Sequence, residues 1–130
     1  MTIHRTILVA EDEALTRHSV AAVLQKEGYR VYEAADGNAA LKILEEVGVD
    51  LVLSDLGMPG ADGLEVLKKV RDAYPQTKVM LMTASASVDT IVEALRLGAQ
   101  DYLLKPLLLS LLLDDVLYKV RGLLEHKQQA

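Results

Sequence analysis

The chain of 130 residues contains no cysteine, no tryptophan and no phenylalanine, and only three prolines. Without cysteine, a disulfide framework, a thiolate metal site and a thiol nucleophile are all excluded. We therefore expect a reducing compartment and a cytoplasmic location. Residues 1–5 contain no apolar run of the kind that indicates a secretory signal. The densest apolar stretch, residues 103–113, is interrupted by Lys105, Pro106 and Ser110. It is too short to cross a bilayer core of about 30 Å, so no membrane association is expected.

The composition is that of one globular domain. Hydrophobic residues make up 51% of the chain and charged residues 25%, which excludes a disordered segment. The formal net charge of −5 argues against direct nucleic-acid binding by this domain. We expect a folded domain over residues 1–124, followed by a polar tail or the start of a linker over residues 125–130.

Short apolar runs alternate with amphipathic runs along the chain. Residues 6–10, 28–34, 51–53, 78–82 and 102–104 are typical of strands, most of them covered on both faces. Helical spacing between them predicts five apolar stripes: 20/23/24, 40/43/44/47, 66/67/70, 88/91/92/95 and 112/113/116/120. Caps are expected at Asp36, Ser87 and Ser110, and helix ends at Gly48 and Gly98. Five β-α units in alternation indicate an α/β fold with a doubly wound parallel sheet.

Polar groups follow four of the predicted strands. Glu11 and Asp12 follow the first, Asp55 ends the third, Thr83 ends the fourth and Lys105 follows the fifth. Ligand sites of such sheets lie at the carboxyl ends of strands. Taken singly, each residue is typical of a turn or a helix cap. Together, crowded carboxylates suit Mg²⁺, and a lysine with a hydroxyl suits a phosphoryl group.

Four stretches of the chain resemble the receiver domain of two-component response regulators. They are Ile7-Leu8-Val9-Ala10-Glu11-Asp12-Glu13, Asp55-Leu56-Gly57-Met58-Pro59-Gly60-Ala61-Asp62-Gly63, Met82-Thr83-Ala84 and Gly98-Ala99-Gln100-Asp101-Tyr102-Leu103-Leu104-Lys105-Pro106. They occur in the order of the family and cover essentially the whole chain. The resemblance implies a flavodoxin-like (βα)5 fold with strand order 2-1-3-4-5. It also implies a signalling phosphoacceptor rather than a turnover enzyme.

The resemblance assigns a metal site to the acidic residues. Asp55 would accept a phosphoryl group from a sensor histidine kinase or a histidine phosphotransfer protein. Asp12, Asp55 and the backbone carbonyl of Gly57 would bind Mg²⁺, and Glu11 would act through a metal-bound water. Glu11 stands where the family more often has aspartate, and its longer side chain shifts the carboxylate.

The resemblance also assigns a phosphoryl site and a switch. Thr83 would hydrogen-bond the phosphoryl group and Lys105 would pair with it. The Lys105–Pro106 bond would be cis. Tyr102 would be the switch aromatic that turns inward as Thr83 moves; the alternative is a strand aromatic that merely packs. Small side chains at Gly57 and Ser85 predict slow hydrolysis or dependence on an external phosphatase.

Two other functions and one interface stay open from the sequence. A pseudo-receiver would bind partners without phosphorylation, and an aspartate-nucleophile phosphatase would need a second acid where Gly57 stands. Leucine is abundant in the last helix, with 11 of 24 leucines between residues 103 and 124. Leu108, Leu111, Leu117 and Tyr118 fall off its predicted core stripe, which indicates either scattered surface leucines or a partner or homodimer surface.

Overall fold

The computed structural model describes residues 4–58, 60, 62–84, 88–105 and 109–125, with only the backbone for Val88. Its strands are β1 (Thr6–Ala10), β2 (Arg30–Ala34), β3 (Leu51–Asp55), β4 (Lys78–Thr83) and β5 (Asp101–Leu104). Its helices are α1 (Ala14–Lys26), α2 (Gly37–Glu46), α3 (Gly63–Ala73), α4 (Val88–Arg96) and α5 (Leu109–Leu124). The predicted alternation of strands and helices is confirmed.

The five strands form one parallel sheet in the order β2-β1-β3-β4-β5. This confirms the doubly wound (βα)5 fold and the strand order that the resemblance implied. In the register, Ala10 is opposite Ser54, and Asp55 is opposite Met82. The carboxyl ends of β1, β3 and β4 therefore lie side by side at one edge of the sheet, with Asp55 on the central strand.

Alternate residues of the strands bury two separate hydrophobic clusters, as expected for a sheet covered on both faces. Leu8, Val52 and Leu81 face the cluster made with α2, α3 and α4. Ile7 and Leu53 face the other cluster, made with α1 and α5. Both faces of the central strands are thus fully buried, which gives the site at their ends a rigid support.

Of the predicted helix caps and ends, Asp36 and Gly98 agree with the structure, and Gly48 and Ser110 do not. Asp36 caps α2, its side chain accepting a hydrogen bond of 2.7 Å from the N–H of Ala39. Gly28 after α1 and Gly98 after α4 have φ of +100° and +103°, the left-handed conformation that glycine adopts most readily. Gly48 has no such φ, and α2 ends at Glu46 with an extended Val47. Ser110 lies inside the first turn of α5, so its predicted capping role is wrong.

The predicted inner faces of α4 and α5 need correction. Val92 and Leu95 on α4 are 40% and 45% exposed, and Ala94 is the buried residue there. Ala94 belongs to the hydrophobic cluster on this face of the sheet, while the larger Val92 and Leu95 remain partly in solvent. On α5, Leu117 packs against the hydrophobic cluster, whereas Leu111 and Tyr118 are exposed, as predicted. Ser87, Leu108 and residues 126–130 lie outside the described residues.

Candidate functional site

Three carboxylates meet at the carboxyl edge of the sheet. Glu11 and Asp12 follow β1, and Asp55 is the last residue of β3. One carboxylate oxygen of each lies within 4.8 Å of the others. Glu11 is fully buried, Asp55 is 7% exposed and Asp12 is open to solvent. The structure thus brings together the acidic residues that the sequence singled out.

Asp55 is held from both sides of its carboxylate. Its Oδ2 accepts a hydrogen bond of 3.1 Å from Nζ of Lys105, and its Oδ1 accepts one of 3.3 Å from the backbone N–H of Gly57. The backbone of Gly63, at the start of α3, lies against the carbonyl of Asp55. A Cβ at Gly63 would stand 2.5 Å from that oxygen, so only glycine fits there. The carboxylate therefore has a fixed position at the end of a buried strand.

Lys105 reaches the acidic residues from two strands away. It follows β5, and its N–H donates to the carbonyl of Thr83 at 2.8 Å. Since neighbouring strands lie about 4.8 Å apart, its side chain has to extend across β4 to reach Asp55. Its ammonium also forms an ion pair with Glu11. Burial lowers the pKa of Lys105, but the contacts with Glu11 and Asp55 outweigh burial and leave the pKa raised.

Glu11 is the most strongly perturbed acid of the site. Its pKa is raised from 4.5 to about 7, mainly by burial and further by the charge of Asp55. Hydrogen bonds from Lys105 and from the backbone N–H of Glu13, the latter 3.0 Å long to Oε2, offset the rise only in part. The site therefore carries more negative charge than its one lysine can neutralise, which is a physical reason for it to take up a cation.

The remaining predicted residues lie around this centre. Thr83 is buried at the end of β4, beside β3, and Tyr102 on β5 is half-buried against the cluster of α2, α3 and α4. Gly57 is exposed just beyond Asp55. The expectations for Ser85 and for a cis bond before Pro106 lie outside the described residues. An open cleft of about 630 Å³ adjoins the acids, and Glu11, Asp12, Lys105, Leu15 and Leu109 are among its lining residues.

Sequence reasoning missed two residues that bear on the site. Arg17 on α1 donates from Nη1 to the carbonyl of Glu11 at 2.8 Å, and Gly63 allows α3 to approach Asp55. Arg17 stands four residues after Glu13, on the face of the helix that looks back at the acidic residues, and this spacing could have indicated it. Nothing in the sequence distinguishes Gly63, because a sequence does not show how close two backbone segments come.

Solved structures of response regulators share this architecture. A CheY-like receiver domain protein from Methanospirillum hungatei superposes with a TM-score of 0.82 at 29% identity, covering 96% of this chain and all of that one. The response regulator TrrA from Thermotoga maritima, solved in complex with Mg²⁺-BeF, gives a TM-score of 0.78 at 34% identity. That alignment covers 92% of this chain and 99% of TrrA. The fold is thus that of a CheY-like receiver.

The sequence comparisons identify the family. The model of the response regulator receiver domain matches residues 7–117, and the chain belongs to this family. The chain is 41% identical to the regulatory protein AtoC of Escherichia coli K12 over 106 residues, and this alignment covers 82% of this chain and 23% of AtoC. The chain is 38% identical to the response regulator FleR of Pseudomonas aeruginosa over 123 residues, and that alignment covers 95% of this chain and 26% of FleR.

The chain is accordingly a signalling domain of two-component systems. It spans about a quarter of the length of the curated relatives that it matches. Among the described residues, no helix is long and apolar enough to cross a membrane.

Proposed function

We propose that this domain accepts a phosphoryl group on Asp55 with Mg²⁺ and that phosphorylation changes its affinity for partners. The donor would be a phosphohistidine of a sensor kinase or of a phosphotransfer protein. The observation that carries the proposal is the meeting of three carboxylates within 4.8 Å, one of them paired with a lysine at 3.1 Å. Such a site can balance the charge of an incoming phosphoryl group while a carboxylate attacks it.

The residues present fit a magnesium ion. Carboxylate and carbonyl oxygens are the ligands that Mg²⁺ prefers, and the ion commonly takes only one or two carboxylates. Asp12, Asp55 and the carbonyl of Gly57 would hold it directly, and Glu11 would hold it through a water. When bound, the ion supplies positive charge to the phosphoryl oxygens and to the carboxylates. The solved structure of TrrA with Mg²⁺-BeF supports this assignment by similarity.

Asp55 would act as the nucleophile. One of its carboxylate oxygens forms a bond to phosphorus while the phosphorus–nitrogen bond of the donor breaks. The electron pair of that bond goes to the imidazole nitrogen, which takes up a proton, and Asp55 becomes an acyl phosphate. Gly57 has no side chain to protonate a leaving group, so the site lacks the second acid that an aspartate-nucleophile phosphatase would place there. Acceptance and slow loss of the phosphoryl group are the reactions that this chain favours.

Lys105 and Thr83 would hold the phosphoryl group. Lys105 already contacts Asp55 at 3.1 Å, so a small movement would place its ammonium on a phosphoryl oxygen. Thr83 lies at the end of the adjacent strand, and its hydroxyl would donate to another phosphoryl oxygen. Tyr102, half-buried on β5, would turn inward if Thr83 moved toward Asp55. This pair would convert a local charge event into a change at the surface.

Intact-mass spectrometry tests the proposal. The protein is incubated with acetyl phosphate, with Mg²⁺ or with a chelator, as the wild type and as Asp55→Ala. We expect a single HPO3 adduct that requires both Mg²⁺ and Asp55. Asp72→Ala, at an exposed position on α3, is the matched control and should form the adduct like the wild type.

Two outcomes would contradict the proposal. An adduct that persists in Asp55→Ala would place the acceptor elsewhere. The absence of an adduct in the wild type, together with no spectral response to beryllofluoride, would favour a pseudo-receiver that binds partners without phosphorylation.

A homodimer through the leucine-rich last helix, which the sequence left open beside scattered surface leucines, is not tested by the structure. Much of its leucine content is accounted for by the core, because Leu112, Leu113 and Leu117 all pack into the cluster with α1. Leu111 and Tyr118 are the large exposed apolar residues of the part of α5 that is described. Light scattering of the wild type and of Leu111→Ser, with and without beryllofluoride, would show whether they join two copies.

A further inference from the structure

Arg17 connects the acidic residues to the edge of the sheet. It lies at the end of the first turn of α1, and its side chain is 14% exposed. One arm of its guanidinium, Nη1, donates to the carbonyl of Glu11 at 2.8 Å. Its Nε lies 3.4 Å from Oε1 of Glu33, on β2. The side chain thus spans from α1 to β2 and touches the end of β1 on the way.

The peptide groups around Glu11 are held from several directions. The N–H of Glu11 donates to the carbonyl of Ala34 at 3.0 Å, and its carbonyl accepts from Arg17. Its side chain accepts from the N–H of Glu13 at 3.0 Å. We propose that Arg17 is a positioning residue that fixes the backbone of Glu11 and Asp12, and so sets where their carboxylates lie for Mg²⁺. This inference rests on the proposed magnesium site.

The role needs arginine in particular. A guanidinium has five donors in a planar fork, so it can bond a carbonyl and a carboxylate at once in one fixed geometry. The carboxylate of Glu33 is itself held, since Oε1 also lies 2.6 Å from Nδ1 of His18. A lysine at position 17 would keep the charge but could not serve both partners in the same way.

A plain electrostatic role predicts the opposite result. A positive charge beside a cation site repels the cation, so removing Arg17 would strengthen Mg²⁺ binding if its charge were all that mattered. Arg17→Lys keeps that charge, and electrostatics alone predicts no change. Positioning predicts weaker binding in both variants, because the acidic residues would sample more conformations. The direction of the effect separates the two roles.

The experiment combines calorimetric titration of MgCl2 with amide hydrogen exchange in a chelator, both at the same fixed pH. Arg17→Lys should weaken Mg²⁺ binding, and Arg17→Gln should weaken it rather than strengthen it. In the metal-free protein, protection of the Glu13 and Glu11 amides should fall by about tenfold beyond any global change, the effect of losing one charge-assisted hydrogen bond. A residue that served only global stability would not change the protection of these amides selectively.

The matched control is Arg121→Lys. Arg121 on α5 pairs with Glu27 after the last turn of α1, so the same substitution is made in an arginine–glutamate pair at the other end of that helix. The Mg²⁺ affinity of Arg121→Lys should equal that of the wild type. Wild-type affinity and unchanged amide protection in Arg17→Lys would overturn the inference. If the wild type binds no Mg²⁺, the proposed function fails. The amide protection would still show whether Arg17 fixes the backbone of Glu11 and Asp12.

Discussion

Replacing Glu11 by glutamine should stabilise the metal-free protein at neutral and alkaline pH, even though it removes an ion pair. Glu11 is fully buried, and burial raises its pKa from 4.5 to about 7. Lys105 pairs with it but also pairs with Asp55 at 3.1 Å, so the lysine keeps a partner in the variant. Glutamine retains an oxygen that can accept from the N–H of Glu13.

The expected stabilisation by Glu11→Gln follows from proton linkage. The folded protein holds the proton of Glu11 more tightly than the unfolded chain does, so the stability from this group is fully present below pH 4.5. It is lost as the pH rises through about 7. A pKa rise of this size corresponds to a loss on the order of 3 kcal/mol. Near pH 5, protonated glutamate and glutamine have almost the same shape and polarity, so the two proteins should be about equally stable there.

The assay is urea unfolding followed by far-ultraviolet circular dichroism, since the chain has no tryptophan. Wild type and Glu11→Gln are compared in a chelator from pH 5 to pH 8, with Glu45→Gln, at an exposed position on α2, as the control. The free-energy difference between Glu11→Gln and wild type should grow with pH, and saturating Mg²⁺ should stabilise the wild type more than the variant. A difference that stays constant across this range, or a wild type that is the more stable protein at pH 8, would refute the reasoning.

Two further predictions concern stability. Gly63→Ala should destabilise the domain by about 1–3 kcal/mol, because its Cβ would stand 2.5 Å from the carbonyl of Asp55. Gly57→Ala meets nothing within 4 Å and should cost little; equal urea midpoints for the two variants would contradict the close approach of α3. Burial raises the pKa of Tyr29, whose hydroxyl donates to Glu125. The wild type should therefore lose stability as the pH rises above about 10, and Tyr29→Phe should lose less; parallel alkaline curves in thermal unfolding would exclude this contribution.

The spacing of apolar residues was sufficient to predict the fold but not to predict which face of every helix is buried. The strands of the central sheet are buried on both sides, so their apolar runs are continuous and easily recognised. On α4, the same reasoning placed Val92 and Leu95 inside, where the structure exposes them and buries Ala94. A stripe of large apolar residues shows that a helix is amphipathic. It does not show which residues of the helix join the core, and here the small Ala94 does so beside the stripe.

The site was predictable where its residues follow strands and not where helices contribute. Because parallel strands end at one edge, Glu11, Asp55 and Lys105 had to come near one another once the strand order was known. Arg17 lies on a helix and contacts the carbonyl of Glu11 with its side chain. Gly63 contributes only by letting the backbone of α3 lie close to the carbonyl of Asp55. The spacing from Glu13 to Arg17 indicates that the arginine faces the acidic residues but not which atoms it contacts, and nothing in the sequence indicates the close approach at Gly63.

The raised pKa of Glu11 and the contacts of Arg17 are two aspects of one arrangement. The pKa of Glu11 is near 7 because its ionised carboxylate is less stable in the buried site than in water. If the loop were free, the ionised side chain would therefore turn toward water. Arg17 donates to the carbonyl of Glu11, Ala34 accepts from its N–H, and Glu13 donates to its Oε2; these three hydrogen bonds oppose that movement. The domain thereby keeps an electrostatic cost that a bound cation can relieve. Loosening the loop would lower this cost and, with it, the affinity for the cation that the site is proposed to bind.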